Sequence, residues 1–193
     1  MHMKDFEKLS DEVLVQKSLE DISYFGVLVD RFEQKLKYYI LRISSFSDME
    51  AEEILQEVFL KVWKNLREFD GSVKFSSWIY NIAHNETISA FRKSKSRGEH
   101  TAVELNEDLF FIPPSALDIP HELDKKMTAE RVHQILDNMS EEYREILILK
   151  FLEDKSYEEI SDILKKPMGT VATLINRAKK NFRESAARQN VSF

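Results

Sequence analysis

The chain has 193 residues, four glycines, four prolines and no cysteine, a composition that favours long helices and excludes disulfides and Cys-based zinc sites. It lacks a signal peptide's apolar segment and the roughly 20-residue apolar run that spans a bilayer, so we expect a soluble, cytoplasmic protein without membrane insertion. The formal net charge of −6 does not exclude nucleic-acid binding, because the charges are distributed unevenly along the chain.

The first 98 residues show helical periodicity in three segments. Apolar residues at helical spacing define the first segment, at Phe25, Leu28, Val29, Phe32, Leu36, Ile40 and Ile43. Ser47 and Glu50 then form a capping box, which opens a helix with its apolar stripe at Ile54, Leu55, Val58, Phe59, Val62, Trp63 and Leu66. The letters "DGS" at 70–72 break the pattern. A third helix follows through Trp78 and Ile79 and continues into the basic stretch "FRKSKSR".

An acidic connector follows at residues 99–124. It holds seven Asp and Glu, no Lys or Arg, and the three prolines Pro113, Pro114 and Pro120. Prolines without sustained helical periodicity are typical of a linker between domains. The apolar letters "LFFI" at 109–112 leave open the alternative that this segment folds back on a domain core.

After the connector, apolar spacing predicts helices over about 125–138 and 141–152, and then a two-helix unit. Ser156 and Glu159 form a second capping box. The letters "KKP" end that short helix, because the residue before a proline avoids the helical conformation. Pro167 suits the start of the next helix, where its missing N–H is not needed.

The last predicted helix has one apolar face and one polar, basic face. Its apolar residues are Val171, Leu174, Ile175, Ala178 and Phe182. Its opposite face carries Thr173, Asn176 and Lys180, flanked by Arg177 and Arg183. A short helix, a tight turn and a longer basic helix form the helix-turn-helix plan, which places the second helix in a DNA major groove. The alternative is an ordinary helical hairpin with a solvated basic face.

Two blocks of sequence resemble the extracytoplasmic-function (ECF) group of bacterial RNA polymerase sigma factors. "MEAEEILQEVFLKVWKNLREFDGSVKFSSWIYNIAHNETISAFRKSKSR" is similar to their region 2, and "LDNMSEEYREILILKFLEDKSYEEISDILKKPMGTVATLINRAKKNFRE" to their region 4. The resemblance covers about four-fifths of the chain. It implies an all-α transcription initiation factor with region 2 at 1–98, a flexible acidic linker at 99–124 and region 4 at 125–193.

The resemblance implies that the Ser47-capped helix docks on the clamp of the polymerase's largest subunit. On a helical wheel Leu60 falls on the polar face, among Glu53, Gln56, Glu57 and Lys64. An exposed apolar residue with an acidic rim is typical of a partner contact. The alternative is a single exposed leucine of no functional importance.

The resemblance also implies that the loop "FDGSVKFSS" and the helix after it bind the melted minus-ten element. Unstacked bases need a pocket, and the glycine and small serines of this loop, including Ser77, would form one against Asn85. The basic residues would hold phosphates. The candidate minus-ten residues are Phe69, Gly71, Ser72, Lys74, Ser76, Asn85, Arg92, Lys93, Lys95 and Arg97. We interpret Phe75 and Trp78 as core residues.

Region 4 is expected to bind the minus-thirty-five element. The candidate residues are Lys165, Lys166, Thr170, Thr173, Asn176, Arg177, Lys180 and Arg183. The family usually has basic residues near the start of this helix, where the chain has Ala172, Thr173 and Leu174. Fewer phosphate contacts should weaken the salt-dependent part of binding, so no promoter consensus is transferred. Region 2 also departs from the family pattern, because the chain has Ser89 where aspartate is common in the family.

The resemblance names core RNA polymerase, through its clamp and flap, promoter DNA in duplex and melted form, and an anti-sigma factor as partners. No nucleophile–base pair, metal cluster or phosphate-binding glycine loop is recognisable, so we expect neither enzymatic activity nor a cofactor. One alternative is a stand-alone helix-turn-helix regulator with an N-terminal dimerisation or sensing domain, which would bind duplex DNA without polymerase. Another is a helical adaptor that binds only proteins.

Overall fold

The computed structural model describes residues 8–97 and 129–188, and every regular element within these ranges is a helix. The α-helices are α1 (Asp11–Ser18), α2 (Ser23–Ile43), α3 (Asp48–Asn65), α4 (Phe75–Arg97), α5 (Ala129–Asp137), α6 (Glu141–Leu147), α7 (Tyr157–Leu164) and α8 (Met168–Arg188). Helices α1–α4 form one compact unit, here unit 1, and α5–α8 make up most of a second, unit 2. The predicted all-α class is confirmed. The predicted linker lies outside the described residues.

Serine side chains begin several helices. Ser47 Oγ accepts from the N–H of Glu50 at 3.3 Å, while the Glu50 carboxylate accepts from the N–H of Ser47 at 2.8 Å. Ser156 and Glu159 repeat this exchange at 3.1 and 2.9 Å. Each pair satisfies two N–H groups that a helix start leaves without partners, and a serine cap contributes about 1 kcal/mol. Both predicted capping boxes are confirmed.

Unit 1 has an aromatic core. Phe75, at the start of α4, is fully buried, and its ring lies 5.7 Å from that of Phe32 in α2. Tyr39 of α2 and Tyr80 of α4 are also buried and lie 5.1 Å apart. The N–H of Phe75 donates to the Glu12 carboxylate of α1 at 3.3 Å, which fixes the start of α4. These contacts join α1, α2 and α4 around one centre.

The predicted apolar stripe of α3 needs one correction. Ile54, Leu55, Val58 and Val62 are buried, but Trp63 is 39% exposed. Trp63 lies at the edge of the stripe, and its ring contacts Phe25 of α2 at a centroid distance of 5.0 Å. Successive helical residues point 100° apart, so the neighbour of a central buried residue can face the rim. Trp63 therefore belongs to the surface of unit 1.

Unit 2 is centred on the apolar face of α8. All five residues predicted for that face are buried: Val171, Leu174, Ile175, Ala178 and Phe182. The predicted helix over 141–152 differs in its last part, because α6 ends at Leu147 and a wider π-helical turn spans Ile148–Leu152. Asp154 then adopts a left-handed conformation with φ of 49° in the segment before α7.

The turn between α7 and α8 also contains a left-handed residue. Lys165 has φ of 51°, a conformation that glycine adopts more easily. The N–H of Lys166 donates to the Ser161 carbonyl at 3.2 Å and closes the end of α7. The carbonyl of Pro167 accepts from the N–H of Val171 at 3.0 Å, so this proline lies at the start of α8 as predicted, immediately before its first residue, Met168. Within the described residues, no helix is long and apolar enough to cross a membrane.

Candidate polymerase and promoter interfaces

The outward face of α3 carries the residues predicted to dock on polymerase. Glu53, Gln56, Glu57, Leu60 and Lys64 are all exposed. Leu60 is 49% exposed, and it follows Gln56 and Glu57 by one helical turn. The predicted exposure of this apolar residue among polar side chains is confirmed. Its role in docking stays a prediction.

A groove beside Leu60 was not predicted. It has a volume of about 470 Å³ and runs between α2 and α3 within unit 1. Ile22, Phe25 and Trp63 line it, and Ile22 is 65% exposed. Leu60 therefore lies at the edge of a larger apolar surface. Helical periodicity missed this surface because it assigned Phe25 and Trp63 to the core, and because Ile22 lies before the periodic segment.

The loop between α3 and α4 has a defined backbone. The Asp70 carboxylate accepts from the N–H of Ser72 at 2.8 Å, and this hydrogen bond lowers the pKa of Asp70. Gly71 between them has φ of 74°, where a side chain would be strained. Ser72 and Lys74 are exposed, as a nucleic-acid contact requires.

Two residues of this loop, the minus-ten candidate Phe69 and the pocket candidate Ser77, are buried instead. Phe69 is 7% exposed, and its ring lies 5.5 Å from Phe75 and 5.4 Å from Trp78. Phe69 therefore anchors the loop to the core, and we no longer assign it a contact with a base. Ser77 is fully buried, so it also cannot line an open pocket. Ser76 is half-buried and remains a candidate.

The second half of α4 presents polar and basic side chains. Asn85 is exposed, and its Nδ2 donates to Asn81 Oδ1 at 3.3 Å, which leaves its own carbonyl oxygen for a base edge. Arg92 and Lys93 are exposed one to two turns further along the helix. The side chains of Lys95 and Arg97, also predicted to bind phosphate, lie outside the described residues.

The outer face of α8 carries the residues predicted to contact the minus-thirty-five element. Thr170, Thr173, Asn176, Arg177, Lys180 and Arg183 are all exposed. Lys165 is exposed at the turn before the helix. Lys166 differs, because its ammonium group forms an ion pair with Glu142 of α6 at 2.9 Å. The predicted phosphate contact of Lys166 would require its ammonium group to release Glu142 first.

Unit 2 also contains a partly buried histidine. His133 Nε2 in α5 lies 3.1 Å from the Asp137 carboxylate. Arg144 of α6 lies on the other side of Asp137 and donates to the Leu136 carbonyl at the end of α5. Burial lowers the pKa of His133, and the nearby Arg144 lowers it further, while Asp137 partly opposes them. The neutral form of His133 is therefore favoured in the folded state.

We expect acidification to destabilise unit 2 through His133. Because its pKa is lower in the folded than in the unfolded state, the unfolded state binds the proton first as the pH falls below about 6.5. Stability contributed by His133 is complete above that pH and decreases below it, by at most about 1.4 kcal/mol per pH unit. Urea unfolding followed by circular dichroism at pH 7.5 and 5.5 measures the loss. The variant His133→Gln should show a smaller loss, and equal losses in both proteins would contradict the prediction.

Comparisons with known proteins agree with this arrangement of two helical units. Residues 28–97 match the family model of sigma-70 region 2, and residues 129–182 match that of sigma-70 region 4. The ECF RNA polymerase sigma factor SigW of Bacillus subtilis is 30% identical over 182 residues, covering 90% of this chain and 97% of the relative. The ECF RNA polymerase sigma-E factor of Escherichia coli is 30% identical over 179 residues, covering 90% and 93%.

Solved structures share the fold. The sigma factor RpoE of Bartonella quintana, in complex with the anti-sigma factor NepR, superposes with a TM-score of 0.62 at 20% identity, covering 84% of this chain and 96% of that one. CnrH in complex with the cytosolic domain of CnrY gives a TM-score of 0.65 at 20% identity, covering 90% and 95%.

The two helical units thus define a protein with sigma-70 regions 2 and 4. The chain belongs to the ECF RNA polymerase sigma factors. It is a non-enzymatic transcription initiation factor, which directs RNA polymerase to promoters through these two regions. A stand-alone regulator or a protein-only adaptor would not account for the region 2 match.

Proposed function

We propose that unit 1 docks on the clamp of the polymerase's largest subunit through the α3 face of Glu53, Gln56, Glu57, Leu60 and Lys64. The observation that carries this proposal is Leu60, which is 49% exposed beside an apolar groove and surrounded by polar side chains. An apolar centre with a polar rim is the usual anatomy of a protein interface. The ion pair between Lys61 and Glu86 of α4 helps to hold this face in place.

The loop after α3 and the outer face of α4 would capture melted minus-ten bases. Gly71, Ser72, Lys74 and Ser76 supply a loop with small, accessible side chains. Asn85 offers donor and acceptor groups to a base edge, and Arg92, Lys93, Lys95 and Arg97 supply positive charge for the phosphates. Phe69 contributes indirectly, because it fixes the loop on the aromatic core.

Helix α8 would enter the major groove of the minus-thirty-five element. We assign region 2 to 1–98, the linker to 99–124 and region 4 to 125–193, and both family matches fall within these ranges. The contacts proposed for region 4 are those of Lys165, Lys166, Thr170, Thr173, Asn176, Arg177, Lys180 and Arg183. Their support is the exposure of the polar face of α8 while its apolar face is buried.

Unit 2 also has a surface suited to the polymerase flap. Phe151 and Leu152 of the π-helical turn, with Leu136 of α5 and Phe182 of α8, line an apolar cleft. The cleft is mostly apolar, which favours a protein partner, and the cations Lys179 and Arg183 also line it. We therefore place the flap contact in this cleft, on a different side of α8 from Thr173 and Asn176.

An anti-sigma factor is a further proposed partner, and the cytoplasm is the proposed location. The support for the partner is the fold shared with RpoE of Bartonella quintana, which was solved with an anti-sigma factor. An inhibitor that covers Leu60 and the groove beside it would compete directly with polymerase for unit 1. The cytoplasm is where core polymerase and promoter DNA are available.

A promoter-opening assay tests the proposed function. Purified core polymerase is incubated with a pool of bacterial upstream regions, with and without the chain, and unpaired thymines are detected with permanganate. We expect opening of selected sequences near the minus-ten position only when both components are present. Opening by core polymerase alone, or duplex binding by the chain with no effect of polymerase, would contradict the proposal.

The basic face of α8 gives a quantitative prediction. In the double variant Arg177→Gln, Lys180→Gln, we expect polymerase holoenzyme to bind upstream duplex DNA about tenfold more weakly at 0.15 M salt. Each lost phosphate contact lowers the slope of log affinity against log salt by about 0.9, so the slope should fall by roughly 1.8. Filter binding at several salt concentrations measures both quantities.

Arg131→Gln is the matched control for this variant. Arg131 is an exposed cation on α5 of the same unit, and it has no proposed contact with DNA. Its loss should leave the salt slope unchanged. Equal effects of the control and the double variant would indicate general attraction by the net charge of unit 2 and contradict groove binding by α8.

A further inference from the structure

We propose that the first turns of α8 recognise thymine through its C5-methyl group, by apolar contact with Met168 and close approach of the backbone at Gly169. This inference rests on the proposed placement of α8 in the major groove. It concerns the residues with which this chain selects a sequence there. Three observations support it.

The first observation is the exposure of Met168. It is the first residue of α8, and its side chain is 56% exposed. The buried face of the helix begins at Val171 and does not include it. An unbranched methionine side chain is flexible and adapts to irregular apolar surfaces. Met168 is therefore available for an apolar contact outside unit 2.

The second observation is a glycine on the exposed polar face of α8. Gly169, Thr173, Asn176 and Lys180 follow the spacing i, i+4, i+7 and i+11, so they share one face. A Cβ atom at Gly169 would meet no atom within 4 Å other than its chain neighbours and the backbone of its own helix, so packing does not require glycine here. Glycine inside a helix also weakens the helix. Its use is explained if a ligand approaches the backbone closely at this position.

The third observation is the hydrogen bond of Thr173. Its Oγ1 donates to the Gly169 carbonyl at 2.9 Å, so its hydroxyl hydrogen is already used within the helix. The γ-methyl group remains as an apolar contact next to the open space at Gly169. At Gly169 and Thr173 this face therefore offers backbone and a methyl group, and its polar side chains Asn176 and Lys180 follow further along the helix.

Thymine is the base that matches such a surface. In the major groove it is the one unmodified base that presents a methyl group, and apolar side chains and threonine methyl groups contact it. Residues 168–172 carry no charge, while Lys165 precedes them and Arg177 follows. The cations can therefore bind phosphates on either side while the uncharged turn between them reaches the base edges.

Replacement of thymine by uracil, which removes only the methyl group, tests this inference. Holoenzyme made from core polymerase and the full chain first selects upstream sequences from a randomised duplex pool. Each thymine of the selected element is then replaced by uracil in turn. We expect one or two replacements to weaken binding about fourfold each, the effect of one buried methyl group. Met168→Ala should weaken binding to the unmodified thymine duplex by the same factor. For this variant, uracil at one of the sensitive positions should then cause no further loss of binding.

Two control variants separate this effect from others. Met49→Ala removes a methionine of α3 that is 71% exposed, and it should leave the uracil sensitivity unchanged. Gly169→Ala should raise the melting temperature but weaken DNA binding. Gly26→Ala, in α2, is equally open sterically, and should raise the melting temperature without any change in DNA binding.

The outcomes distinguish this inference from the proposed function. If holoenzyme selects an upstream element and the double variant Arg177→Gln, Lys180→Gln weakens binding to it, α8 binds DNA as proposed. Thymine recognition is then overturned if the element lacks thymine, if uracil has no effect, or if Met168→Ala weakens both duplexes equally. If holoenzyme selects no upstream sequence at all, both the placement of α8 and this inference fail.

Discussion

Leu60→Asp is expected to prevent the chain from binding core RNA polymerase while its fold stays intact. Leu60 is 49% exposed, so the substitution leaves no cavity in unit 1. A carboxylate at the apolar centre of an interface loses its hydration without a partner, and interface centres of this kind contribute most of the binding energy. We expect affinity to fall about 100-fold or more, which corresponds to about 2.7 kcal/mol. Fluorescence-detected titration of labelled chain with core polymerase measures this change.

Val13→Asp is the matched control for Leu60→Asp. Val13 is also an exposed apolar residue of unit 1, at 40%, but it lies on α1. The same new charge should leave polymerase binding nearly unchanged there. If Leu60→Asp retained full affinity, or if both variants lost it equally, the α3 face would not be the docking surface.

Phe69→Ala is expected to destabilise unit 1 by about 3 kcal/mol, because truncation of a buried phenylalanine removes its transfer energy and leaves a cavity. Phe69 contacts both Phe75 and Trp78, and it is the residue that ties the following loop to the core. Both tryptophans of the chain, Trp63 and Trp78, belong to unit 1. Urea unfolding followed by tryptophan fluorescence therefore reports the stability of this unit.

Two further variants show whether Phe69 acts through the fold or on DNA. Phe69→Leu keeps most of the apolar volume, so it should recover most of the stability and of the strand opening. Lys74→Gln changes an exposed residue of the same loop and should lower strand opening without loss of stability. A Phe69→Ala protein that remained stable but failed to open promoters would restore the original prediction of a base contact.

Periodicity and capping predicted most of the helices because these signals are local. Ser47 with Glu50 and Ser156 with Glu159 bond within one turn of chain, so sequence spacing is sufficient to find them. The π-helical turn at Ile148–Leu152 was missed because its hydrogen bonds join residues five positions apart, one more than in an α-helix. A pattern based on 3.6 residues per turn does not contain that information.

At the candidate interfaces, too, features set by local spacing were predicted and features set by tertiary contacts were missed. The exposure of Leu60 and of the polar face of α8 follows from position on a helical wheel, and it was predicted. Phe69 lies outside a helix, so no wheel applies, and its burial depends on Phe75 and Trp78 in the next helix. The ion pair of Lys166 with Glu142 joins residues 24 positions apart, which sequence spacing alone does not reveal.

The turn between α7 and α8 holds Lys165 in a left-handed conformation, which lowers the stability of the turn but keeps a positive charge there. Any residue with a Cβ atom is strained by about 1 kcal/mol in this conformation, and glycine is the residue that avoids the strain. Glycine, however, would remove an exposed cation from the place where we propose that the chain contacts the DNA backbone. A version of this sigma factor selected for heat resistance alone should acquire glycine at 165 and become a weaker initiator. A lysine at this strained position is explained if its charge contributes to the proposed binding of the promoter.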